Sequence, residues 1–313
     1  GHRGPIAPPG FYLTFHESWP LHCRPYFNGD LDAYKAFSAH PEYARTFVDV
    51  LASFAKLAHE QAWNEAGFQI YFNNKGSLGE LTKAPWILDE PTSYWDYRAL
   101  RFYGELTDRG RRDATDVHID YRIDISRPEF CRGELDGRDD LWVVASSAFK
   151  HYRRLVTDRI ERDGLQAWVY GTSNQVHESN RNLEAWALDV WKEGASGLVP
   201  WQTVDKDGSA LEQADQLGLF IYDKSPSGEM VVRHSLRLKA YREAQQLIEY
   251  LNLLQAKRGW KRSDMRQFIG QYVDLDATVA KVDEADAGTS EYGRLSAEGI
   301  QSLKHAAAQL LAE

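Results

Sequence analysis

The sequence predicts an α/β fold, a (β/α)8 barrel whose first strand is incomplete or divergent, followed by a C-terminal helical appendage. Three observations indicate it. Short apolar runs typical of strands recur along the chain, most of them are separated by a segment of helical periodicity, and polar residues follow them. A doubly wound open sheet is the alternative, but no Gly-x-Gly-x-x-Gly motif follows any of these runs.

Seven runs are strand candidates because they are apolar or alternating and end at turn residues. They span residues 11–15, 68–72, 84–89, 117–125, 141–145, 167–170 and 197–201. The second and third are exceptional, since no helix fits between them. A further run at 217–222 is either an extra strand or the missing eighth strand of the barrel.

Helical periodicity predicts helices between most strands and throughout the C-terminal part. They span 31–63, 92–109, 147–162, 180–193, 233–255, 262–273 and 295–312. Thr92 or Ser93 can cap the second of these, with Asp96 supporting its first turn. Because the chain becomes polar from Arg258, we expect residues 1–257 to form the barrel with its closing helix and residues 258–313 to form a helical extension.

The overall composition bounds the classes of partner. The chain has 313 residues, with 37 Lys and Arg against 46 Asp and Glu, a net charge of −9. This balance argues against a nucleic acid or an anionic membrane as partner, and no apolar run approaches membrane-spanning length. The sequence also contains 10 Trp, 16 Tyr and 13 Phe. Most aromatic residues pack in cores, but sugar rings stack well on aromatic faces.

The cysteines and the first residues give little information about disulfide pairing and cellular compartment. Cys23 and Cys131 form no metal-binding spacing and no disulfide framework, although they could pair with each other. The start, Gly1-His2-Arg3-Gly4, has no initiator Met and resembles a processed end, which would favour a secreted or periplasmic protein.

The stretch Ala84-Pro85-Trp86-Ile87-Leu88-Asp89-Glu90-Pro91 is the strongest functional signal. An apolar run leads into two adjacent carboxylates, which a buried strand cannot easily hold, so we expect them where the strand ends. Pro91 should favour extended geometry at Glu90. Paired carboxylates at such a rim suit acid/base work on a glycosidic bond. Equally, Asp89 and Glu90 could simply lie near the positive end of the next helix.

Three parts of the chain resemble the catalytic domain of family 123 glycoside hydrolases. Residues 86–91 resemble the Asp-Glu-Pro strand end of that domain, and residues 197–201 resemble its late barrel strand. Ser235-Leu236-Arg237-Leu238-Lys239-Ala240-Tyr241-Arg242, followed by Glu249-Tyr250-Leu251, is similar to its closing helix. The resemblance spans roughly residues 10 to 255.

This resemblance implies a barrel that hydrolyses β-linked N-acetylhexosaminides with retention of configuration. The implied mechanism is substrate-assisted, with the oxygen of the sugar's 2-acetamido group as nucleophile. Asp89 would orient and stabilise that group, and Glu90 would protonate the leaving oxygen and then deprotonate water. A neighbouring Asp89 anion would help Glu90 to retain its proton.

Further candidates for substrate binding follow other strand candidates, where a barrel carries its functional groups. They are His16, Glu17, Asn73, Asn74, Tyr170, Asn174, Glu178, Trp201 and Gln202. Asp124 and Arg127 suggest a structural ion pair instead. His118 and Asp120 alternate on one strand, but two residues make no metal site without a third ligand. We therefore expect no metal, and nothing in the sequence calls for a cofactor.

Two other functions remain open. The first is a retaining glycosidase that uses a second protein carboxylate, Glu178 or Glu17, as nucleophile at about 5–5.5 Å from Glu90. The second is a non-catalytic carbohydrate-binding barrel, in which the aromatic residues bind sugar and the rim carboxylates are idle.

Overall fold

The computed structural model describes residues 10–27, 39–75, 86–172, 178–201, 203–205, 218–279, 290–292 and 295–313. These residues fall into two compact units. The first comprises the described residues up to Val144 together with Arg154–Gln166, and the second comprises Ala145–Arg153 and the described residues from Ala167 onward.

The principal sheet is parallel, and its strands follow chain order from β1 to β6. They are Gly10–Tyr12 (β1), Gly67–Tyr71 (β2), His118–Ile125 (β3), Leu141–Ala145 (β4), Gln166–Thr172 (β5) and Gly197–Trp201 (β6). Parallel ladders join β1 to β2, β2 to β3, β3 to β4, and β5 to β6. Since the carboxyl ends of parallel strands meet at one edge, the loops after β1, β2 and β3 lie near one another in the first unit.

The prediction of an α/β fold with a parallel sheet is confirmed, and six of the seven predicted strands are present. Within the described residues this sheet has six strands rather than the eight of the predicted barrel. The strand predicted at 84–89 is wrong, because residues 86–89 are irregular. The run at 217–222 leads into an extra strand, β8 (Phe220–Lys224), which pairs with β7 (Val204–Asp205) and β9 (Met230–His234) in a separate sheet.

Helices follow most strands at the predicted positions. They are Pro41–Glu60 (α1), Tyr94–Gly110 (α2), Ser146–His151 (α3), Arg153–Asp163 (α4), Arg181–Lys192 (α5), Leu236–Arg258 (α6), Arg262–Gly270 (α7) and Ala297–Ala312 (α8). Between β3 and β4 the described chain forms a short 3₁₀ turn, Pro128–Phe130, and two short strands, Ala277–Val279 (β10) and Ser290–Tyr292 (β11), pair antiparallel.

The start of α2 confirms the predicted cap. The Ser93 hydroxyl accepts a hydrogen bond from the Asp96 amide at 3.3 Å, and the Asp96 carboxylate accepts one from the Ser93 amide at 2.9 Å. This capping box satisfies N–H groups that a helix start leaves unpaired. It also fixes the point at which the chain enters α2, three residues after Glu90.

Aromatic side chains form the core of the first unit where α1 and α2 pack together. The hydroxyl oxygens of Tyr43 and Tyr103 lie 2.9 Å apart, and the ring centroids of Phe72 and Tyr103 lie 4.3 Å apart. Phe47 stacks on Phe72 at 6.3 Å. All four side chains are fully buried. Because Phe72 directly follows β2, this core anchors the carboxyl end of that strand.

The second unit has its own core. Leu188 of α5, Leu251 of α6, Met265 of α7 and Leu303 of α8 belong to one cluster of buried apolar side chains. The helices beyond residue 258 therefore share a core with α5 and α6. No helix among the described residues is both long and apolar enough to cross a lipid bilayer.

The two cysteines are free and buried, so the pairing left open by the sequence does not occur. Cys23 Sγ lies 3.5 Å from Ser18 Oγ, and Cys131 Sγ lies 3.5 Å from Arg159 Nη2. Burial raises the pKa of the Cys23 thiol, and it raises the pKa of Cys131 to about 12. Both remain protonated near neutral pH, which makes them poor nucleophiles.

We expect Gly104→Ala to destabilise the protein, because α2 passes close to the chain at Arg138. A Cβ at Gly104 would lie 2.6 Å from the Arg138 carbonyl oxygen and 3.1 Å from the Tyr121 ring. Overpacking of this kind lowers the free energy of unfolding by roughly 1–3 kcal/mol. Gly270→Ala is the matched control, since a Cβ there meets no atom within 4 Å. Urea titrations followed by circular dichroism should separate the two variants, and equal stabilities would contradict the expectation.

Candidate active site

Asp89 and Glu90 lie in a loop that hydrogen bonds hold at the carboxyl ends of β2 and β3. The amides of Leu88 and Asp89 donate to the Asn74 carbonyl oxygen at 2.9 and 3.1 Å, and the Glu90 amide donates to the Asp124 carbonyl oxygen at 3.1 Å. The Asn74 side-chain amide donates to the Trp86 carbonyl oxygen at 2.6 Å. Side-chain and loop hydrogen bonds thus replace a strand ladder, while the carboxylates reach the expected edge of the sheet.

The backbone at Glu90 is in an unusual conformation. Its φ is 57°, so the prediction that Pro91 holds Glu90 extended is wrong. The left-handed region costs a non-glycine residue roughly 1–2 kcal/mol. The hydrogen bond from the Glu90 amide to the Asp124 carbonyl oxygen stabilises this conformation. Ala62 and Arg132 also have positive φ, but neither adjoins a carboxylate cluster. Strained residues of this kind concentrate at functional sites.

One lysine bridges the two candidate catalytic carboxylates. Lys75 Nζ lies 2.5 Å from Glu90 Oε2 and 3.5 Å from Asp89 Oδ2. Burial alone would lower the pKa of Lys75, but Glu90 and Asp89 together outweigh it, so the pKa is raised. Asp89 is buried at 8% exposure, while the Lys75 side chain is 56% exposed. The carboxyl groups of Asp89 and Glu90 therefore converge on one partly exposed cation, Lys75.

A second ion pair, between Arg122 and Asp124, lies next to Tyr71. Arg122 donates to both oxygens of Asp124, from Nε at 2.7 Å and from Nη2 at 2.8 Å, and its guanidinium lies 4.6 Å from the Tyr71 ring centroid. Asp124 and Asp89 place two negative charges near the Tyr71 hydroxyl. Burial, followed by these two negative charges, raises the pKa of Tyr71. The Tyr71 hydroxyl therefore keeps its proton near neutral pH, close to Asp89 and Asp124.

Burial also dominates at Asp124, where it raises the pKa although Arg122 opposes it. The predicted partner of Asp124, Arg127, instead pairs with Glu129 at 2.5 Å, so that expectation is wrong. Arg122 and Asp124 are two residues apart and share a face of β3, a spacing that could have indicated their contact.

Lys75 and Tyr71 were missed by sequence reasoning. Both belong to the segment that ends β2 and contains Asn73 and Asn74, and a list of polar residues at that strand end would have included Lys75. Asn74 is buried and anchors the loop, whereas Asn73 is exposed. Their predicted role in substrate binding stays a prediction.

His16 and Glu17 follow β1 in the same unit. The Glu17 carboxyl is buried, its Oε2 lies 4.0 Å from His16 Nδ1, and that oxygen has no hydrogen-bond partner among the described residues. The Tyr43 hydroxyl donates to the Glu17 carbonyl oxygen at 2.5 Å. Burial raises the pKa of Glu17, with His16 opposing. Glu17 is therefore biased toward its protonated form.

The remaining predicted residues belong to the second unit. Tyr170 is half-buried in β5, Glu178 is exposed before α5, and Trp201 ends β6 with 57% of its surface exposed. Asn174 and Gln202 lie outside the described residues. The roles of all five stay predictions.

Asp89, Glu90 and Asp124 thus lie near Lys75, Arg122 and Tyr71 at the carboxyl ends of β2 and β3. Neighbouring carboxylates whose surroundings shift their pKa values to different extents are typical of acid/base centres. Comparisons of the whole chain with protein-family models, with curated proteins and with solved structures find no match.

Proposed function

We propose that this chain is a glycoside hydrolase of the substrate-assisted type, acting on β-linked N-acetylhexosaminides, with Glu90 as general acid/base and Asp89 as the group that orients the acetamide. The single observation that carries the proposal is the convergence of the Asp89 and Glu90 carboxylates on Lys75 at the carboxyl edge of a parallel sheet. The resemblance of residues 86–91 to family 123 glycoside hydrolases supports the same assignment.

In the proposed first step, Glu90 gives its proton to the glycosidic oxygen while the acetamido carbonyl oxygen attacks the anomeric carbon. The carbon–oxygen bond to the leaving group breaks, the leaving group departs as an alcohol, and an oxazolinium ion forms. Water then attacks the anomeric carbon and gives a proton to the Glu90 carboxylate, while the bond from that carbon to the acetamido oxygen breaks. This second inversion restores the original configuration. A substrate nucleophile with one protein acid is a recognised departure from the two-carboxylate scheme.

Asp89 would accept a hydrogen bond from the acetamido N–H and stabilise the positive charge that develops on the oxazolinium ring. Lys75 Nζ lies 3.5 Å from Asp89 Oδ2 and places a positive charge beside that carboxylate. A preorganised anion near developing positive charge lowers the barrier without reorganisation.

Lys75 has to release Glu90 before Glu90 can act as an acid, since an ammonium at 2.5 Å favours the carboxylate form. Its side chain is largely exposed, and Asp89 offers an alternative partner nearby. In the proposed cycle a bound substrate displaces the ammonium toward Asp89, which leaves Glu90 free to take up a proton.

The rival with a protein nucleophile has one candidate in the first unit, Glu17. Because burial favours its protonated form, Glu17 is poorly suited to attack an anomeric carbon. Burial thus makes Glu17 less suitable than the acetamido group as nucleophile.

We expect the protein to hydrolyse 4-nitrophenyl β-N-acetylhexosaminides, and a thiazoline mimic of the oxazolinium intermediate to inhibit it competitively. The corresponding 4-nitrophenyl β-glucoside, which lacks the acetamido group, is the matched control and should be a far poorer substrate. Equal turnover of both substrates without thiazoline inhibition would indicate a protein nucleophile. Sugar binding with no turnover of either substrate would instead indicate a carbohydrate-binding module.

A further inference from the structure

A small acidic cavity lies at the amino ends of β3 and β4, the opposite edge of the sheet from Asp89 and Glu90. Its volume is about 240 Å³, and its charged lining residues are Asp120, Asp139, Asp140, Asp163 and Arg159. Four carboxylates therefore surround one guanidinium. The first question is which of the carboxylates are already neutralised.

Two of them are. Asp140 accepts hydrogen bonds from Arg111 Nη1 at 2.5 Å and Nη2 at 3.2 Å, and Asp163 pairs with Arg162 at 2.6 Å. Both arginines lie outside the lining of the cavity. Asp140 and Asp163 therefore contribute acceptor oxygens to the cavity but little uncompensated charge.

Asp139 is different. Its side chain is only 3% exposed, and its Oδ2 has no hydrogen-bond partner among the described residues. Arg159 Nη1 lies 3.8 Å from that oxygen, beyond hydrogen-bond reach, while Arg159 Nη2 bonds to Asp136 at 2.6 Å. The Trp142 indole N–H acts on the same carboxyl but does not reach hydrogen-bond geometry. The Asp139 carboxylate thus has an ion-pair partner in Arg159 but no hydrogen bond at Oδ2, so its burial is only partly compensated.

Asp120, at the start of β3, borders the same cavity. Burial raises the pKa of Asp120, and the negative charge of Asp140 adds to that effect while Arg111 opposes it. Asp120 and Asp139 are thus the two carboxylates of the lining that a bound cation would stabilise most.

The geometry favours an organic cation over a metal ion. Among the described residues, no group of three His, Cys, Asp or Glu side chains could hold a metal. An alkylammonium has three N–H donors and no acceptor, which suits carboxylate oxygens arranged around a cavity. The volume lies below the roughly 300–1,000 Å³ of pockets for drug-sized ligands, so the alkyl part must be short.

We propose that this cavity binds a small primary ammonium group, with Asp139 as its buried anionic partner and Asp120 as a second acceptor. The site is separate from the proposed hydrolase site, so its test needs no enzymatic activity and can fail or succeed independently.

The test is isothermal titration calorimetry on the full chain at pH 8, with n-butylammonium chloride as probe. We expect saturable binding of one equivalent, and none with n-butanol or with sodium chloride at equal ionic strength. Losing a charged hydrogen-bond partner is worth about 1.5–3 kcal/mol, so Asp139→Asn should weaken binding by roughly tenfold or more. Asp120→Asn should weaken it less, and it serves as second variant if Asp139→Asn folds poorly.

The matched control is Asp158→Asn, because Asp158 is an exposed aspartate on α4 and does not line the cavity. It should bind n-butylammonium as the parent protein does. Three results would overturn the proposal: no saturable binding of the amine, binding that survives both Asp139→Asn and Asp120→Asn, or binding of magnesium or calcium chloride in place of the amine.

Discussion

Replacing Glu90 with glutamine is expected to reduce kcat on an N-acetylhexosaminide by roughly 10²- to 10⁴-fold, the usual contribution of a general acid/base. Glutamine has nearly the same shape but can neither give nor take the proton. KM should change little, because the amide can still hydrogen-bond a sugar hydroxyl. The loss would thus lie in the chemical step and not in binding.

Comparing substrates with good and poor leaving groups distinguishes proton transfer by Glu90 from a structural role. A 4-nitrophenolate departs readily without a proton, whereas an alkyl or sugar alkoxide does not. Glu90→Gln should therefore lose more turnover on a disaccharide than on the 4-nitrophenyl glycoside of the same sugar. A purely structural role for Glu90 would lower both rates by the same factor.

Glu60→Gln is the matched control, since Glu60 is an exposed glutamate at the end of α1, 3.8 Å from Lys56. It should keep full turnover. If Glu90→Gln also kept full turnover while its circular dichroism spectrum was unchanged, Glu90 would not be the acid and the hydrolase proposal would lose its central residue.

The sequence predicted the elements that depend on local signals. Strands such as 141–145 are short apolar runs between turn residues, and α2 begins at the Ser93–Asp96 capping box that its sequence indicates. These features are encoded within a few residues of one another. The parallel pairing of the strands followed from their alternation with helices.

The stretch 84–89 shows where such reasoning fails. Trp86 and Leu88 are buried and Ile87 is only partly so, the alternation expected of a strand. What the stretch lacks is a neighbouring strand, because the Asn74 carbonyl oxygen takes the amides of Leu88 and Asp89. Periodicity reports burial and cannot report which backbone group is the hydrogen-bond partner.

The same limit applies to the candidate site. Its carboxylates were predictable because Asp89 and Glu90 are adjacent and follow an apolar run. Lys75 and Tyr71 come to them from another segment, through the register of β2 against β3 and the path of the loop. Contacts of that kind are set by tertiary packing, so one sequence without its fold could not assign them.

Asp139 provides the other large effect, on the pH dependence of stability. Burial raises the pKa of its carboxyl to about 7, with Arg159 and Trp142 opposing, whereas an unfolded aspartate titrates near 3.9. Below about pH 4 both states are protonated and this group has no differential effect. As the pH rises from about 4 to about 7, the unfolded state releases its proton first, so the free energy of unfolding falls.

Asp139→Asn removes this titration. From pH 5 to pH 8 the parent protein should therefore lose stability relative to the variant, by about 1–3 kcal/mol at 1.36 kcal/mol per pKa unit. Urea titrations of both proteins at the two pH values, with Asp158→Asn as control, measure that difference directly. Parallel pH profiles for parent and Asp139→Asn would mean that the buried carboxyl does not titrate in this range. A profile that flattens when n-butylammonium is added to the parent would connect the Asp139 charge to its ligand, because a cation that binds only the folded, ionised form offsets the stability lost between about pH 4 and pH 7.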